Sequence, residues 1–245
     1  MRISKHIRLT GTVWAAVGFL IFGVIVVVYG YGTTQRAFDW TTFLREVYSN
    51  FGIEMISIAL TVIVIESLNQ RRSERERKTE LILQMGSPNS LFAIEAVRIL
   101  RQKGWLQDGT LYRANLREAN LQGADIAGAV LRDADLRFAK LQQTYAGYAV
   151  LKGAVLSSAT LEASDLRCVN LRDALLTSTI FTAANLIDVD LQGAKLDKTV
   201  FDSTTTLPDG SSWAANTDLT RFTDPAHPQF WRSDYKGSPA YRGAT

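Results

Sequence analysis

The 245-residue sequence predicts an all-β domain, a quadrilateral β-helix, preceded by two transmembrane helices and a helical connector. The β-helix is indicated by an apolar residue at every fifth position from Leu111 to Phe201, with one lapse. Two apolar segments near the N-terminus indicate the transmembrane helices, and a charged stretch after them indicates the connector. We divide the chain into a membrane anchor, a connector with an N-terminal cap, a repeat domain, and a C-terminal cap with a loose tail: residues 1–68, 69–104, 105–206 and 207–245.

The first predicted transmembrane helix covers about residues 9–32. No charged residue occurs from Leu9 to Gln35, and the run from Val13 to Val28 is almost wholly apolar. A helix rises about 1.5 Å per residue, so about 20 such residues cross a bilayer core of about 30 Å. A cleaved signal peptide is the alternative, but its apolar region would be about 7–15 residues long. The longer run favours an uncleaved helix.

The second predicted transmembrane helix, about residues 48–68, is a weaker candidate. Glu54 and Glu66 bracket only a short run of apolar or small residues. Glu54, Ser57 and Thr61 share one helix face because they are spaced at i, i+3 and i+7. They form our candidate polar site in the membrane, since a carboxylate buried in lipid is costly and often functional. The alternative is a shallow carboxylate that reaches water or holds the two helices together.

The basic residues predict the orientation in the membrane. Three of them precede the first helix and five follow the second, whereas the loop between the helices contains only Arg36 and Arg45. The positive-inside rule therefore places both termini and the repeat domain in the cytoplasm, at the inner membrane of a bacterium. If the second segment only lies on the membrane surface, the repeats would instead be outside.

The sequence of the connector predicts a charged helix from residue 69 to 85 and an interruption at residues 86–90. A shorter amphipathic helix follows from Leu91 to Gln102. We expect its apolar residues to form one buried stripe: Leu91, Ala93, Ile94, Val97, Ile99 and Leu100. The first coil of a β-helix needs a cover, or its edge and its apolar end would be exposed. We assign this second helix and Trp105 to that cover.

The repeat domain follows a five-residue pattern. Two positions before each recurring Leu stands a small residue, most often Ala, and Asp or Asn often lies between them, as in Ala114-Asn115-Leu116. A period of five fits neither a helix nor a straight strand, because positions five apart drift around the first and alternate faces in the second. The pattern therefore predicts a chain that turns a corner in every pentad.

Four such sides close a square coil of twenty residues. The large residue and the small residue two positions before it share the inward face, as strand alternation requires. Successive coils then stack at about 4.8 Å, the usual spacing between paired strands. Each buried Leu contributes about 2 kcal/mol, which gives the stack a self-sufficient core before conformational entropy is subtracted.

Over residues 108–206 this Ala-(Asp/Asn)-Leu-x-x pattern resembles that of the pentapeptide-repeat proteins. The resemblance implies a right-handed quadrilateral β-helix. The segment after residue 206 also resembles the tails that follow such repeats, and we expect one or more of four aromatic residues to cover the last coil: Trp213, Phe222, Phe230 or Trp231. The pattern lapses at Ala146, between Tyr145 and Tyr148, where we expect a bulge rather than a ligand pocket.

Stacking in twenties places the residues just before each inward position in outward columns. Three neighbouring sides carry apolar residues there, whereas the fourth carries polar residues and one Tyr. Continuous exposed apolar surface often marks a partner site, although β-branched residues also simply suit strands. We call the candidate partner-binding set the apolar band: Val150, Val155, Leu175, Ile180 and Val200.

A second outward column is basic and contains Arg132, Lys152 and Arg172. It suits an acidic partner or an anionic lipid. Asp133 and Asp173 lie beside it in the sequence and are expected to neutralise much of its charge. An ordinary solvated face is therefore the favoured interpretation.

The residue inventory favours a non-enzymatic protein-interaction scaffold, without cofactor or metal, whose partners are the lipid bilayer and another protein. Only His6 and His227 are present, which leaves little for histidine-based catalysis. Cys168, the one cysteine, excludes an internal disulfide framework, and we expect it to face outward because it follows an inward Leu by two residues. Homo-oligomerisation is compatible with the sequence, and no nucleic acid partner is expected.

Two alternatives belong to other functional classes. A channel or transporter accessory subunit would use an oligomer whose helices line a pore through Glu54, Ser57 and Thr61. A topoisomerase inhibitor that mimics DNA, as some proteins of the resembled family are, needs a strongly negative rod to replace phosphates. Residues 105–206 contain twelve acidic and ten basic residues, a net charge of only −2, which argues against mimicry.

Overall fold

The computed structural model describes residues 40–243 and four further helical positions, residues 18, 21, 25 and 29. The chain divides into two compact units, Met1–Asn69 and Gln70–Thr245. Three α-helices have both ends within residues 40–243 and are numbered here in chain order: α1 (Trp40–Met85), α2 (Ser90–Gln102) and α3 (Thr220–Thr223).

The described residues include the second predicted transmembrane helix but only four positions of the first. The first, residues 9–32, lies outside them apart from the four isolated positions. The second, residues 48–68, lies within α1, which continues without a break into the charged connector, as predicted for residues 69–85. Among the residues that the structure describes, no helix is both long enough and apolar enough to cross a membrane.

Helix α2 begins where the Asn89 side chain accepts a hydrogen bond from the N–H of Leu91 at 3.0 Å. Its buried face is set by Ala93, Ala96, Val97 and Leu100, at the i, i+3, i+4 and i+7 spacing of a helical stripe. Leu91 lies two residues, or about 200°, from Ala93 and is therefore on the opposite face. The predicted stripe is confirmed at Ala93, Val97 and Leu100 and is wrong at Leu91 and Ile94, which are exposed.

The first coil is covered by the segments before it. Leu81 and Met85 of α1 join the buried face of α2 in the hydrophobic core of the β-helix, and Trp105 packs against it. The N–H of Asn120 donates to the carbonyl of Ser87 at 2.9 Å, so the loop between the helices takes the place of a preceding coil. The open end is thereby closed by both apolar packing and backbone hydrogen bonds.

Stacked coils of twenty residues form the body of the second unit, as predicted. Parallel bridges join residues twenty apart, from Asn115 with Asp135 to Ile180 with Val200. These bridges are isolated and do not extend into strands in the described region, because the chain turns after every pentad. The all-β prediction is corrected in this respect: pairing is continuous along the stack but only one residue wide on each side.

Each corner is a four-residue turn. The N–H of Ala119 donates to the carbonyl of Leu116 at 3.1 Å, and the other corners repeat this bond. The third residue of each turn has a positive φ, between 53° and 74°, at every corner from Arg113 to Lys198. This is the φ pattern of a type II turn, in which glycine is favoured, yet glycine occupies only four of these corners: Gly123, Gly128, Gly153 and Gly193.

The lapse at Ala146 does not interrupt the stack. Ala146 is buried, and Tyr145 still pairs with both Asp125 and Asp165 in the coils on either side. The expected bulge is wrong because corner and inter-coil hydrogen bonds are made by the backbone and do not depend on the size of the inward side chain. Tyr145 and Tyr148 are exposed and leave the core position to Ala146.

The last coil is covered by aromatic residues, as predicted. Phe201 stacks on Phe181 with a centroid separation of 5.6 Å, and Trp213 continues the stack at 6.3 Å from Phe201. Phe222 of α3 is buried, and the ring of Trp231 meets it edge-on at 5.8 Å. The apolar end of the β-helix is therefore shielded from water.

The C-terminal segment, residues 224–243, packs back along the side of the coils instead of forming a loose tail. The hydroxyl of Ser238 donates to the carbonyl of Asp188 at 2.7 Å, and Ser233 bonds the Asp188 carboxylate. The hydroxyls of Tyr148 and Tyr235 are 3.2 Å apart. These contacts join residues 45 to 87 positions apart, which is why the local sequence did not reveal them.

Candidate interaction surface

The outward columns lie where twenty-residue stacking predicts them. Val155 pairs with Leu175, and Ile180 pairs with Val200, on two neighbouring sides. Val150 belongs to the preceding side, where it pairs with Val130 and Asn170. Leu175 and Val200 are the most exposed members of the apolar band, at 41% and 45% of their full surface, and the other three are half-buried.

Three residues of the apolar band, Val155, Leu175 and Ile180, lie within a surface free of charge that the sequence analysis missed. No charged residue occurs between Lys152 and Glu162, and none occurs between Asp173 and Asp188. The bridges stack these two stretches on each other, so two successive coils share one uncharged face. We call residues 153–161 and 174–183 the uncharged corner. Its signal in the sequence was the pair of charge-free stretches one coil length apart.

Serine and threonine side chains fill the uncharged corner between its aliphatic residues. The side chains beside Val155, Leu175 and Ile180 are short and polar: Ser157, Ser158, Thr160, Thr177, Ser178 and Thr182. Small hydroxyl side chains lose little rotamer freedom on burial compared with Lys, Arg or Glu. A partner that covers this surface therefore desolvates no charge and orders few long side chains.

The basic column is stacked as predicted, and much of its charge is paired. Lys152 Nζ lies 3.8 Å from the carboxylate of Asp173, and Arg172 Nη1 lies 3.6 Å from that of Asp190. Arg132 makes no ion pair within the described range 40–243. The exposed Lys152–Asp173 pair contributes about 0–1 kcal/mol. The column is a weakly basic face rather than a strong anion site.

The candidate polar site of the membrane segment lies on α1. Thr61 Oγ1 donates to the Ser57 carbonyl at 2.8 Å, an ordinary bond within a helix, and both residues are exposed. The side chain of Glu54 is outside the described part of the chain. A pore-lining role for these residues stays a prediction.

Cys168 is buried, so the prediction that it faces outward is wrong. Gly147, Tyr148 and Ile187 surround it together with Tyr235 of the C-terminal segment. Burial raises the pKa of the Cys168 thiol, which keeps it protonated at neutral pH and weakly nucleophilic. The hydrogen bond with Tyr235 raises the pKa of Tyr148 to about 12. This arrangement suits packing of the C-terminal segment and offers no activated nucleophile.

The stacked pentads have a counterpart among known protein families. A family model described as pentapeptide repeats, with eight copies, matches residues 110–145, 134–167 and 164–202. Residues 110–202 belong to the pentapeptide-repeat family. The right-handed β-helix of this family agrees with the parallel, twenty-residue stacking of the coils. No curated protein matches the chain.

Solved pentapeptide-repeat proteins align with part of the chain. Rfr23 from the cyanobacterium Cyanothece 51142 is 34% identical, with coverage of 39% of this chain and 62% of Rfr23, at a TM-score of 0.27. HetL from Nostoc sp. strain PCC 7120, described as involved in heterocyst differentiation regulation, is 29% identical, with 42% and 61% coverage and a TM-score of 0.24. The chain therefore spans about three fifths of the length of each.

QnrB1, described as a plasmid-mediated fluoroquinolone resistance protein, is a more distant structural match. It is 16% identical, with 36% of this chain and 57% of QnrB1 covered, at a TM-score of 0.23. The β-helix assignment of this chain rests on its own bridges and on the family match, not on these superpositions.

Proposed function

We propose that this chain is a non-enzymatic, membrane-anchored scaffold that docks a protein partner on the uncharged corner of its pentapeptide repeats. Pentapeptide-repeat proteins are generally non-enzymatic and mediate protein interactions. The observation that carries the proposal is the exposed Leu175 within two stacked charge-free stretches, with the exposed Val200 stacked next to Ile180 in the following coil. Depletion of charge and a central apolar cluster are the features of a protein interface core.

The docking surface is tested with the double variant Leu175→Asp plus Ile180→Asp. The repeat tolerates Asp at this position, since Asp165 occupies it on another side and accepts the N–H of Arg167 at 3.2 Å. The fold is therefore expected to persist, while two charges enter the interface. Loss of a hot spot costs about 2 kcal/mol or more, so partner capture is expected to fall at least thirtyfold or so.

The matched control introduces two carboxylates on the other sides, Asn170→Asp plus Asn185→Asp. Both asparagines already accept the N–H two residues ahead, at 3.1 Å, a bond that Asp also accepts. Partners recovered after gentle solubilisation are identified by mass spectrometry and compared among wild type, variant and control. Partners that depend on the repeats are those lost from a chain that lacks residues 105–245. If the Leu175→Asp plus Ile180→Asp variant retains all of these partners, the uncharged corner is not the docking surface.

The membrane anchor is supported by the charge-free run from Leu9 to Gln35 and by exposed apolar side chains further along α1. More than half of the surface is exposed in each of six large apolar side chains of that helix: Ile58, Leu60, Ile63, Val64, Ile65 and Leu68. Lipid would bury these side chains, each worth about 1.5–3 kcal/mol. The proposed orientation places both termini and the repeats in the cytoplasm of a bacterium, as the positive-inside rule predicts.

The anchor is tested by alkaline carbonate extraction of membranes. Wild type is expected to stay in the membrane pellet, whereas Val24→Lys plus Val27→Lys is expected to enter the supernatant, since each central Lys costs about 2.5–3.5 kcal/mol in a transmembrane helix. Thr33→Lys plus Thr34→Lys, at the end of the run, is the control. Extraction of wild type would refute the anchor. Protease protection of a C-terminal tag reports the side of the membrane.

A further inference from the structure

A cleft of about 170 Å³ lies between the last coils and the C-terminal segment. The coils contribute Arg172, Asp190 and Gln192, and the C-terminal segment contributes the opposite wall. That wall contains three aromatic residues and a second arginine: Phe230, Trp231, Tyr241 and Arg232. The volume is below the roughly 300–1,000 Å³ of pockets for drug-sized ligands, so the cleft suits a smaller molecule.

Asp190 is almost completely buried at this cleft, with 5% of its surface exposed. One carboxylate oxygen accepts the N–H of Gln192 at 3.0 Å. The other lies 3.6 Å from Arg172 Nη1, which is beyond hydrogen-bond distance. An ionised carboxylate accepts about four hydrogen bonds, so Asp190 has unused acceptor capacity. Burial raises the pKa of the Asp190 carboxyl, because removal from water disfavours the charged form.

The two arginines supply the opposite charge. The guanidinium of Arg232 lies over the ring of Phe230 at 5.6 Å, a cation–π contact that holds it against the wall. Arg232 is also close enough to Asp190 to act on its pKa in the opposite sense to burial. The cleft therefore combines a buried carboxylate, two guanidinium groups and aromatic walls within one small volume.

We propose that this cleft binds a free α-amino acid with an aromatic or large aliphatic side chain. The ammonium group donates to Asp190, and the carboxylate accepts from the arginines, which suit carboxylates geometrically. The side chain packs against Phe230, Trp231 and Tyr241. A simple anion would satisfy the arginines but leave Asp190 without a donor, and a simple amine would leave the arginines without an acceptor.

Binding is measured by calorimetry on the purified full chain with L-phenylalanine, L-leucine and L-tryptophan as probes. Two singly charged analogues of phenylalanine separate the contributions: 3-phenylpropionate lacks the ammonium group, and 2-phenylethylamine lacks the carboxylate. At least one amino acid is expected to bind saturably. Each analogue is expected to bind about tenfold or more weakly than phenylalanine, because it loses a charge-assisted hydrogen bond.

Two variants assign the charged groups. Asp190→Asn keeps the acceptor for Gln192, as Asn170 and Asn185 do for their own turns, so the fold is expected to persist. Asp190→Asn should weaken the binding of phenylalanine and of 2-phenylethylamine about tenfold while leaving the binding of 3-phenylpropionate unchanged. Arg232→Gln should show the reverse selectivity.

The controls repeat the same chemical changes away from the cleft. Asp165→Asn occupies the equivalent repeat position on another side, and Arg242→Gln changes an exposed arginine of the C-terminal segment. Neither is expected to change binding. The proposal is overturned if wild type binds none of the three amino acids in the millimolar range. Equal binding of both analogues and phenylalanine, or unchanged binding in Asp190→Asn, would also overturn it.

Discussion

The carboxylate of Asp202 accepts a hydrogen bond from the backbone N–H of Ala183 at 3.1 Å and thereby joins the last coil to the one before it. At the corners of the earlier coils the acceptor is a backbone carbonyl nineteen residues ahead, as in the 2.9 Å bond from Ala163 to Thr182. The last coil contains one extra residue, since Asn185 pairs with Thr206, twenty-one positions on. The Asp202 side chain thus supplies the acceptor at a corner where the repeat is irregular.

This role predicts a pH dependence of stability. Hydrogen bonds from Ala183 and then from Thr204 and Thr205 lower the pKa of Asp202 from 3.8 to about 2. A carboxyl whose pKa is depressed by folding stabilises the protein fully above its unfolded pKa and loses this contribution as pH falls through the folded value. The stability advantage of wild type over Asp202→Asn should therefore be constant at neutral pH and shrink between about pH 4 and pH 2.

Urea unfolding at a series of pH values measures this difference. Glu162→Gln is the matched control because Glu162 occupies the same repeat position two coils earlier on the same side. A constant difference between wild type and Asp202→Asn across the acid range would contradict the assigned role of the carboxylate.

The left-handed corners predict a position-dependent cost for alanine. A Cβ atom at Gly193 would lie 2.4 Å from Asp173 Oδ1, whereas a Cβ at Gly123 would meet nothing within 4 Å. Both glycines have φ near 70°. Each alanine substitution therefore meets the left-handed penalty of about 1–2 kcal/mol, partly offset by reduced entropy of the unfolded chain. Gly193→Ala must also rotate the Asp173 side chain, which lies 3.8 Å from Lys152 Nζ, so it should lower the free energy of unfolding slightly more than Gly123→Ala. Equal losses in urea titrations would contradict this difference.

The reverse substitution should stabilise a corner that lacks glycine. Ala163 is exposed and has a φ of 53°. Ala163→Gly removes the left-handed strain of about 1–2 kcal/mol. It also raises the conformational entropy of the unfolded chain, which lowers the stability of the folded state by about 0.4–1 kcal/mol. The net expectation is a gain of up to about 1 kcal/mol in the free energy of unfolding. Ala159→Gly, at a buried position of the same pentad, is the control and should destabilise the protein. A loss in Ala163→Gly comparable to that of the control would contradict the prediction.

The packing of the C-terminal segment predicts the reactivity of Cys168. Asp188→Ala removes the carboxylate that bonds Ser233, and Tyr235→Phe removes the hydroxyl that faces Tyr148. Loss of about 1.4 kcal/mol of docking free energy raises the undocked population about tenfold. The rate of Cys168 modification by a neutral thiol reagent under native conditions is expected to rise by a similar factor.

Asp197→Ala, an exposed acidic residue of the last coil, serves as the control for that experiment. Its modification rate should match wild type. Unchanged rates in both Asp188→Ala and Tyr235→Phe would mean that the C-terminal segment does not limit access to Cys168.

The sequence was sufficient for features that depend on local, repeated geometry. Strand alternation and a turn in every pentad fixed which side chains point inward, and twenty residues per coil predicted the pairing of Val155 with Leu175. The positive φ at the corners was not predictable in this way, because residues such as Phe138 and Lys198 carry no signal for it. Backbone hydrogen bonds between coils impose that conformation on whatever residue occupies the corner.

By itself, then, the sequence determined the coil, its core and its outward columns, because each follows from residues within one or two pentads. Only the tertiary structure decided what covers those columns. The burial of Cys168 and the cleft at Asp190 depend on a C-terminal segment that packs against distant coils. Such contacts are set by the complementarity of two surfaces, which no periodic pattern in either segment encodes.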